Sequence, residues 1–119
     1  MRTALHSVLR PGREEDYDRE HARIWPEMAQ SLIAAGITDW TIWRSGMNLF
    51  HLVESDDFRS AMAALAEDPV DRSWNDHINL IVDHFEPGED DRALRTVWSL
   101  AEQVGSTASS DKPPNGPDA

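Results

Sequence analysis

The residues best suited to proton transfer lie in one short segment, Tyr17 to Glu27. Tyr17 and His21 are four positions apart, so a helix would place a phenol beside an imidazole on a single face. Histidine titrates near neutral pH and donates or accepts a proton, and a neighbouring tyrosine hydroxyl can hold or relay one. The spacing indicates general acid–base chemistry, although such a pair taken alone is more often a packing contact.

The other histidines predict no metal site. His6 and His51 fall in the middle of candidate strands, where we interpret them as packing residues. His77 and His84 are seven positions apart and would share a helix face only if one helix ran through both. No HxH or HExxH spacing and no cysteine accompanies them, so we expect no bound metal.

Charge and hydropathy exclude two classes of partner. The chain has 11 Lys and Arg against 22 Asp and Glu, a net charge of -11 that would repel a phosphate backbone. No apolar run approaches the length of a membrane span or of a signal peptide. We therefore expect no nucleic-acid partner, no membrane partner and a cytoplasmic location.

The elements that would position Tyr17 and His21 begin with a strand over residues 3–9. Apolar positions at spacings of three and four then predict a helix over residues 13–35, with Gly36 as its C-terminal stop. Pro26 lacks the N–H that a continuous helix requires. A kink or a second helix start is expected there.

A β-hairpin follows the helical region. Residues 37–44 and 48–54 are strand-like, and the segment from Ser45 to Asn48 between them predicts a turn. The hairpin would bring two strands next to the first one.

The second half of the chain predicts a divided helical region and a last strand. Asp56 is a candidate cap for a helix over residues 57–67, and Asp68-Pro69 separates it from a helix over residues 70–82. Residues 94–100 predict the final strand. The order β-α-β-β-α-β is that of a ferredoxin-like α+β fold, a four-stranded antiparallel sheet with helices on one face. Its open face predicts a homodimer.

The last residues predict a disordered tail, because the Gly-, Ser- and Pro-rich segment from Gly105 onward lacks aromatic and branched apolar residues. We expect one α+β domain over residues 1–103 and a disordered tail over residues 104–119.

A family resemblance covers residues 2 to about 100. Glu15-Asp16-Tyr17, His21 and Ile24-Trp25-Pro26-Glu27 resemble the YxxxHxxIWPE signature of the L-rhamnose mutarotase family. Later blocks of the family are similar to residues 36–43, 48–50, 53–54 and 94–100, in the same order. The resemblance implies a cofactor-free isomerase of the dimeric α+β barrel type that interconverts the anomers of L-rhamnose or a related 6-deoxyhexose.

The resemblance also implies site residues. It makes His21 the proton donor and Tyr17 its partner, which contacts the sugar. It assigns sugar contact to Trp40, where the family usually has tyrosine, and to Trp74 with Asn75, where the family usually has two tryptophans. This chain lacks the tyrosine hydroxyl and one of the two indoles, which would change the pocket wall, so the preferred sugar could differ from rhamnose.

Two other functions stay open. A cofactor-free monooxygenase or a cyclase of the same barrel group would act on an aromatic substrate and would need a largely apolar pocket. A sugar-binding protein without turnover is compatible with the departures at Trp40 and Asn75. Trp43 and Trp98, placed in strands, are interpreted as core or dimer-interface residues.

Overall fold

The fold is seen in a computed structural model that describes residues 1–89 and 92–107. Within these residues, four strands form one antiparallel sheet in the order β2-β3-β1-β4. The elements along the chain are β1 (Arg2–Leu9), α1 (Glu14–His21), α2 (Pro26–Ala34), β2 (Ile37–Ser45), β3 (Asn48–Ser55), α3 (Phe58–Ala66), α4 (Pro69–Ile78), β4 (Val82–Phe85) and α5 (Leu100–Thr107). The predicted ferredoxin-like α+β fold is confirmed.

One face of the sheet carries the core. Alternate residues of β1 and β3 are buried, as expected for strands with one covered face. Leu9 and Leu49 on this face pack with side chains of the first four helices, among them Met28, Leu65 and Ile78. The covered face is therefore the one that meets the helices.

The predicted interruption at Pro26 is a complete break between two helices. Pro26 is the first residue of α2, where its missing N–H costs nothing. Trp25 before it has φ -57° and ψ 134°, the extended conformation that a following proline favours. His21 is consequently the last residue of α1 rather than the middle of a long helix.

The predicted hairpin between β2 and β3 is also present, with Gly46 at φ +60° in its turn. A β-bulge near the start of β2 shifts its register, because Ile37 pairs with Ser55 and Asp39 with Glu54. The extra residue, Thr38, donates a hydrogen bond from Oγ1 to the backbone oxygen of Glu54 at 3.2 Å. Ile37 and the later Trp40 thereby face the same side of the sheet.

The cap of α3 differs by one residue from the prediction. Asp57, not Asp56, is the N-cap, and its carboxylate accepts a hydrogen bond from the backbone N–H of Ser60 at 3.1 Å. Asp68 caps α4 in a similar way by accepting from Val70 N–H at 2.9 Å. Both caps satisfy N–H groups that a helix start leaves unpaired.

The predicted final strand is wrong. The fourth strand is Val82–Phe85, so α4 ends at Ile78 and does not continue through residue 82. Residues 94–99 have no regular secondary structure, and Trp98 is therefore not in a strand. The sequence did not predict β4, because four residues are too few to show a strand period.

The C-terminal part also differs from the prediction. Helix α5 extends to Thr107, so residues 104–107 are helical where the composition predicts a disordered tail. The remainder of that predicted tail, residues 108–119, lies outside the described residues. In the described ranges, no helix has the length and apolar character that crossing a bilayer requires.

Candidate active site

A cavity of about 730 Å³ lies between the sheet and the helices. This volume falls within the range of small-molecule sites. Its wall includes the polar residues Ser7, Tyr17, His21, His51, Asp71, Arg72, Asn75, Asn79 and Arg92. Apolar side chains from the sheet, from helices α2, α3 and α4 and from Ile24 complete it, so the cavity offers hydrogen-bonding groups within an apolar shell.

Tyr17 and His21 stack on one another in this wall. Their ring centroids are 4.0 Å apart and their planes are inclined by 20°. Helix α1 produces this contact because residues four apart lie on the same face. The structure thus brings together the pair that the spacing predicts.

Burial determines the protonation of this pair. It raises the pKa of the Tyr17 hydroxyl well above its ordinary value, with a smaller contribution from the charge of Asp18. Burial also lowers the pKa of His21, opposed by the backbone carbonyl of Tyr17 and by Glu20. The carbonyl contact lacks hydrogen-bond geometry, since Nδ1 of His21 is buried without a hydrogen-bond partner among the described residues. Tyr17 stays neutral, and His21 exchanges a proton below its usual range.

Two tryptophans lie on the helical side of the His21 imidazole, one in contact with it and one behind the first. Trp74, buried in α4, meets His21 edge-on at 5.4 Å between ring centroids. Trp25 packs edge-on against Trp74 at 5.0 Å and does not line the cavity. Trp74 therefore has the cavity position that the family resemblance implies, and Trp25 supports it from behind.

Trp40 reaches the cavity from the opposite, sheet side. Its indole Nε1–H donates to Nδ1 of His51 at 3.1 Å, and Nε2 of His51 lies 2.9 Å from Oγ of Ser7. Burial, followed by the charges of His21 and His6, lowers the pKa of His51 to about 4. His51 is therefore a buried packing residue that also makes a hydrogen bond at each of its two ring nitrogens.

Asn75 lines the cavity beside a carboxylate. Its Nδ2 donates to Oδ2 of Asp71 at 3.0 Å, one helical turn away on α4. Burial raises the pKa of Asp71, and Asp68 adds to this effect, whereas Asn75 and the charge of Arg92 lower it. Among the described residues of the wall, Asp71 is the carboxylic acid.

The histidines considered as metal ligands are separated. His77 on α4 contacts Glu20 at 2.8 Å, whereas His84 on β4 contacts Asp83 at 2.7 Å and Glu86 at 3.1 Å. They do not share a helix face, because α4 ends between them.

Among the cavity residues that the sequence did not single out, three matter for the chemistry proposed below: Ser7, His51 in a functional role, and Asp71. A signal was present for the first two, since each is a polar residue between two apolar residues on the inward face of its strand. Asp71 gave no signal, because a polar residue in the first turn of a helix is ordinary.

Comparison with known proteins decides the family. The family model described as L-rhamnose mutarotase matches residues 2–104. The chain belongs to the L-rhamnose mutarotase family. The predicted class of enzyme is thereby confirmed as a sugar isomerase of the mutarotase type, and the aromatic-substrate alternative is not supported.

Relatives in the L-rhamnose mutarotase family align over most of their length. A protein named L-rhamnose mutarotase from Burkholderia ambifaria is 38% identical over 72 residues, 60% of this chain and 69% of that protein. One from Burkholderia orbicola is 42% identical over 74 residues, 60% and 69% of the two chains. A third, from Phocaeicola vulgatus, is 28% identical over 78 residues, 65% and 75% of the two chains.

A solved structure supports the fold. The crystal structure of an L-rhamnose mutarotase from Formosa agariphila superposes with a TM-score of 0.67 at 22% identity. The match covers 84% of this chain and 98% of the other. The α+β architecture is therefore shared with a member of the L-rhamnose mutarotase family.

Proposed function

We propose that this protein interconverts the α and β anomers of L-rhamnose or a related 6-deoxyhexose, with His21 as the proton donor. The observation that carries the proposal is the stacked Tyr17–His21 pair in the wall of a cavity of sugar-binding size. Membership of the L-rhamnose mutarotase family supports the substrate class.

The reaction requires two proton transfers and no cofactor. A proton is delivered to the ring oxygen and the anomeric hydroxyl loses one, so the bond between C1 and the ring oxygen breaks and a free aldehyde forms. Rotation about the C1–C2 bond and reclosure on the other face give the second anomer. General acid–base catalysis accelerates such steps by about 10²–10⁴-fold.

We assign the delivered proton to His21 and substrate contact to Tyr17. Protonated His21 has the ability to donate at mildly acidic pH, because burial lowers its pKa. Tyr17 keeps its proton throughout the working pH range and serves as a neutral hydrogen-bond donor to the sugar.

Asp71 is our proposed base. Of the ionisable groups in the described wall, the arginines are permanently charged and Tyr17 is held neutral. Both ring nitrogens of His51 are occupied by protein partners. Asp71 is left to accept the proton of the anomeric hydroxyl, with a pKa that burial raises toward the working range.

Sugar binding is assigned to Tyr17, Trp40, Trp74 and Asn75. The rings of Trp40 and Trp74 lie on opposite walls of the cavity and offer contact for the C–H faces of a pyranose. Asn75 adds an amide where the resemblance expects a second indole. We propose that this amide widens the choice of sugar among 6-deoxyhexoses.

The deciding experiment is proton NMR saturation transfer between the α and β anomeric signals of L-rhamnose, L-fucose and other sugars. We expect faster exchange with the protein and none above background with His21→Ala. His84→Ala is the matched control, because His84 is surface-exposed and outside the cavity wall. Sugar binding by the wild type without faster exchange would favour a binding protein instead.

We further propose a homodimer. Trp43 and Phe50, both exposed, pair across β2 and β3 on the face of the sheet away from the core, and His6 stacks on Phe50 at 4.8 Å. Val97 and Trp98 add exposed apolar surface after β4. Apolar surface of this kind typically marks an interface. Light scattering should give twice the chain mass, reduced toward the monomer by Phe50→Lys with Trp43→Lys.

The cytoplasmic location stays a prediction. Fractionation of cells that produce the untagged protein would test it, with activity in the cytoplasmic fraction as the expected result.

A further inference from the structure

Three polar side chains form a hydrogen-bonded line across the covered face of the sheet. Ser7 lies on β1, His51 on the neighbouring β3 and Trp40 on β2 beyond it. Trp40 Nε1 is 3.1 Å from His51 Nδ1, and His51 Nε2 is 2.9 Å from Ser7 Oγ. Both Ser7 and His51 belong to the cavity wall and are buried, with 0% of Ser7 and 5% of His51 exposed.

The chemistry of the partners gives this line a direction. An indole N–H only donates, so Nδ1 of His51 must be the accepting, unprotonated nitrogen. A neutral imidazole then carries its proton on Nε2. Nε2–H therefore donates to Oγ of Ser7, and the hydroxyl of Ser7 acts as the acceptor.

The charged form of His51 does not compete. A doubly protonated ring would set its Nδ1–H against the N–H of Trp40, and burial beside His21 and His6 disfavours the charge. His51 is thus neutral at physiological pH, with the Nε2–H tautomer fixed by its partners.

This direction leaves the hydroxyl hydrogen of Ser7 to be donated elsewhere. Among the described residues, the bond to His51 is the hydrogen bond that the Ser7 side chain makes. A buried hydroxyl gains a partner wherever one is within reach, and the cavity is the space that Ser7 adjoins. A sugar oxygen in the cavity would be that acceptor.

We propose that Ser7 binds the sugar by donating a hydrogen bond to one of its oxygens, and that Trp40 and His51 position this donor. The inference rests on the proposed function for the nature of the ligand. Trp40 then has two roles. Its indole N–H donates a hydrogen bond to His51, and only its ring is available for contact with the sugar. Ser7 supplies the hydroxyl on the sheet side that tryptophan lacks.

The first test compares Ser7→Ala with Ser55→Ala. Ser55 is a buried serine on the same sheet but does not line the cavity, so it is a matched control. We expect Ser7→Ala to raise the dissociation constant for the sugar by about 3- to 10-fold, the usual effect of one neutral hydrogen bond, and Ser55→Ala to leave it unchanged. Equal affinities in the two variants would overturn the proposal.

The second test separates positioning from packing. In ¹⁵N-labelled protein, His51 should show a protonated Nε2 and an unprotonated Nδ1. Trp40→Phe removes the donor to Nδ1, so the Nδ1–H tautomer should become populated and Ser7→Ala should cost less in that background. A protonated Nδ1 in the wild type, or full additivity of the two substitutions, would overturn the positioning role.

These measurements also distinguish the two proposals. The tautomer of His51 is read without any sugar, and sugar affinity is read by titration without turnover. Slow anomer exchange with intact binding and the expected tautomer would reject the mutarotase proposal and leave the Ser7 proposal standing. If Ser7→Ala fails to fold, Ser7→Cys, which keeps the size and a weak donor, replaces it.

Discussion

The phenol of Tyr17 lies against the imidazole of His21, with ring centroids 4.0 Å apart. The stack fixes the plane of the imidazole from one side, while the edge of Trp74 meets it from another. An acid held in this way loses little freedom when substrate binds. The stack thus orients His21 through the ring at position 17, and in the proposed site the hydroxyl of that ring makes the sugar contact.

The two roles of Tyr17 predict different losses. Tyr17→Phe keeps the stacked ring, so we expect a KM several-fold higher with kcat nearly unchanged. Tyr17→Leu removes the ring as well and should lower kcat by 10-fold or more, an order-of-magnitude estimate for a misplaced acid. Steady-state anomer exchange over a range of sugar concentrations separates the two. Equal kcat in both variants would show that the stack does not position His21.

The proposed acid, His21, and the proposed base, Asp71, predict a bell-shaped dependence of kcat/KM on pH. The falling limb reports His21, whose pKa burial lowers from the ordinary 6.5, and the rising limb reports Asp71, whose pKa burial raises from 3.8. After subtraction of uncatalysed exchange, we expect the maximum of kcat/KM to lie between the pKa of Asp71 and the pKa of His21. A rate that keeps rising above pH 6.5 would contradict the assignment of protonated His21 as the acid.

Asp71→Asn should remove the rising limb and lower kcat by about 10²-fold, the scale of one general base. Asp76→Asn, on the exposed side of α4, is the control. Asn75→Ala should move the rising limb to higher pH, because the Asn75 hydrogen bond lowers the pKa of Asp71. An unchanged pH profile of kcat/KM in Asp71→Asn would show that another group is the base.

His51 makes stability depend on pH. Its pKa is lowered from 6.5 in the unfolded chain to about 4 in the folded protein, so unfolding takes up a proton between these values. The contribution is fully present above pH 6.5 and is lost as the pH falls to 4, about 3 kcal/mol in all. Urea unfolding at both pH values should show a smaller loss in His51→Phe than in the wild type. The same loss in both proteins would place the pKa of His51 near its ordinary value.

The cap of α3 offers a test of stability alone. Asp57→Ala removes the acceptor of the Ser60 N–H and should lower Tm by about 3 to 6 °C. Asp56→Ala changes the neighbouring exposed aspartate and should leave Tm within about 1 °C, as surface substitutions do. Calorimetry of both variants reads the difference directly, and equal shifts would argue against the cap.

The sequence predicts what local chemistry determines. The helix break at Pro26, the turn at Gly46 and the pairing of Tyr17 with His21 follow from proline, glycine and helical spacing, and the structure has all three. The short strand β4 was missed because the edge position beside β1 is determined by tertiary packing, not by its own period.

The hydrogen bonds of His51 with Trp40 and Ser7 could not be predicted because they form across the sheet. Ser7, His51 and Trp40 are distant in sequence and meet because of strand order and register. Asp71 becomes special only where burial and Asn75 act on it. Such environments arise from the assembled fold, whereas a motif shows only neighbours along one helix.

The β-bulge at Thr38 allows strand β2 to turn both Ile37 and Trp40 toward the covered face of the sheet. Side chains alternate along a strand, so Ile37 and Trp40, which are separated by an odd number of positions, belong on opposite sides of a regular strand. The core requires Ile37 inside, and the cavity requires Trp40 inside. If the bulge were removed and Thr38 became a regular strand residue, the strand could bury only one of them: a protein with an intact core would present Thr41 and Trp43 to the cavity, and one that kept Trp40 in the cavity would expose Ile37 to water.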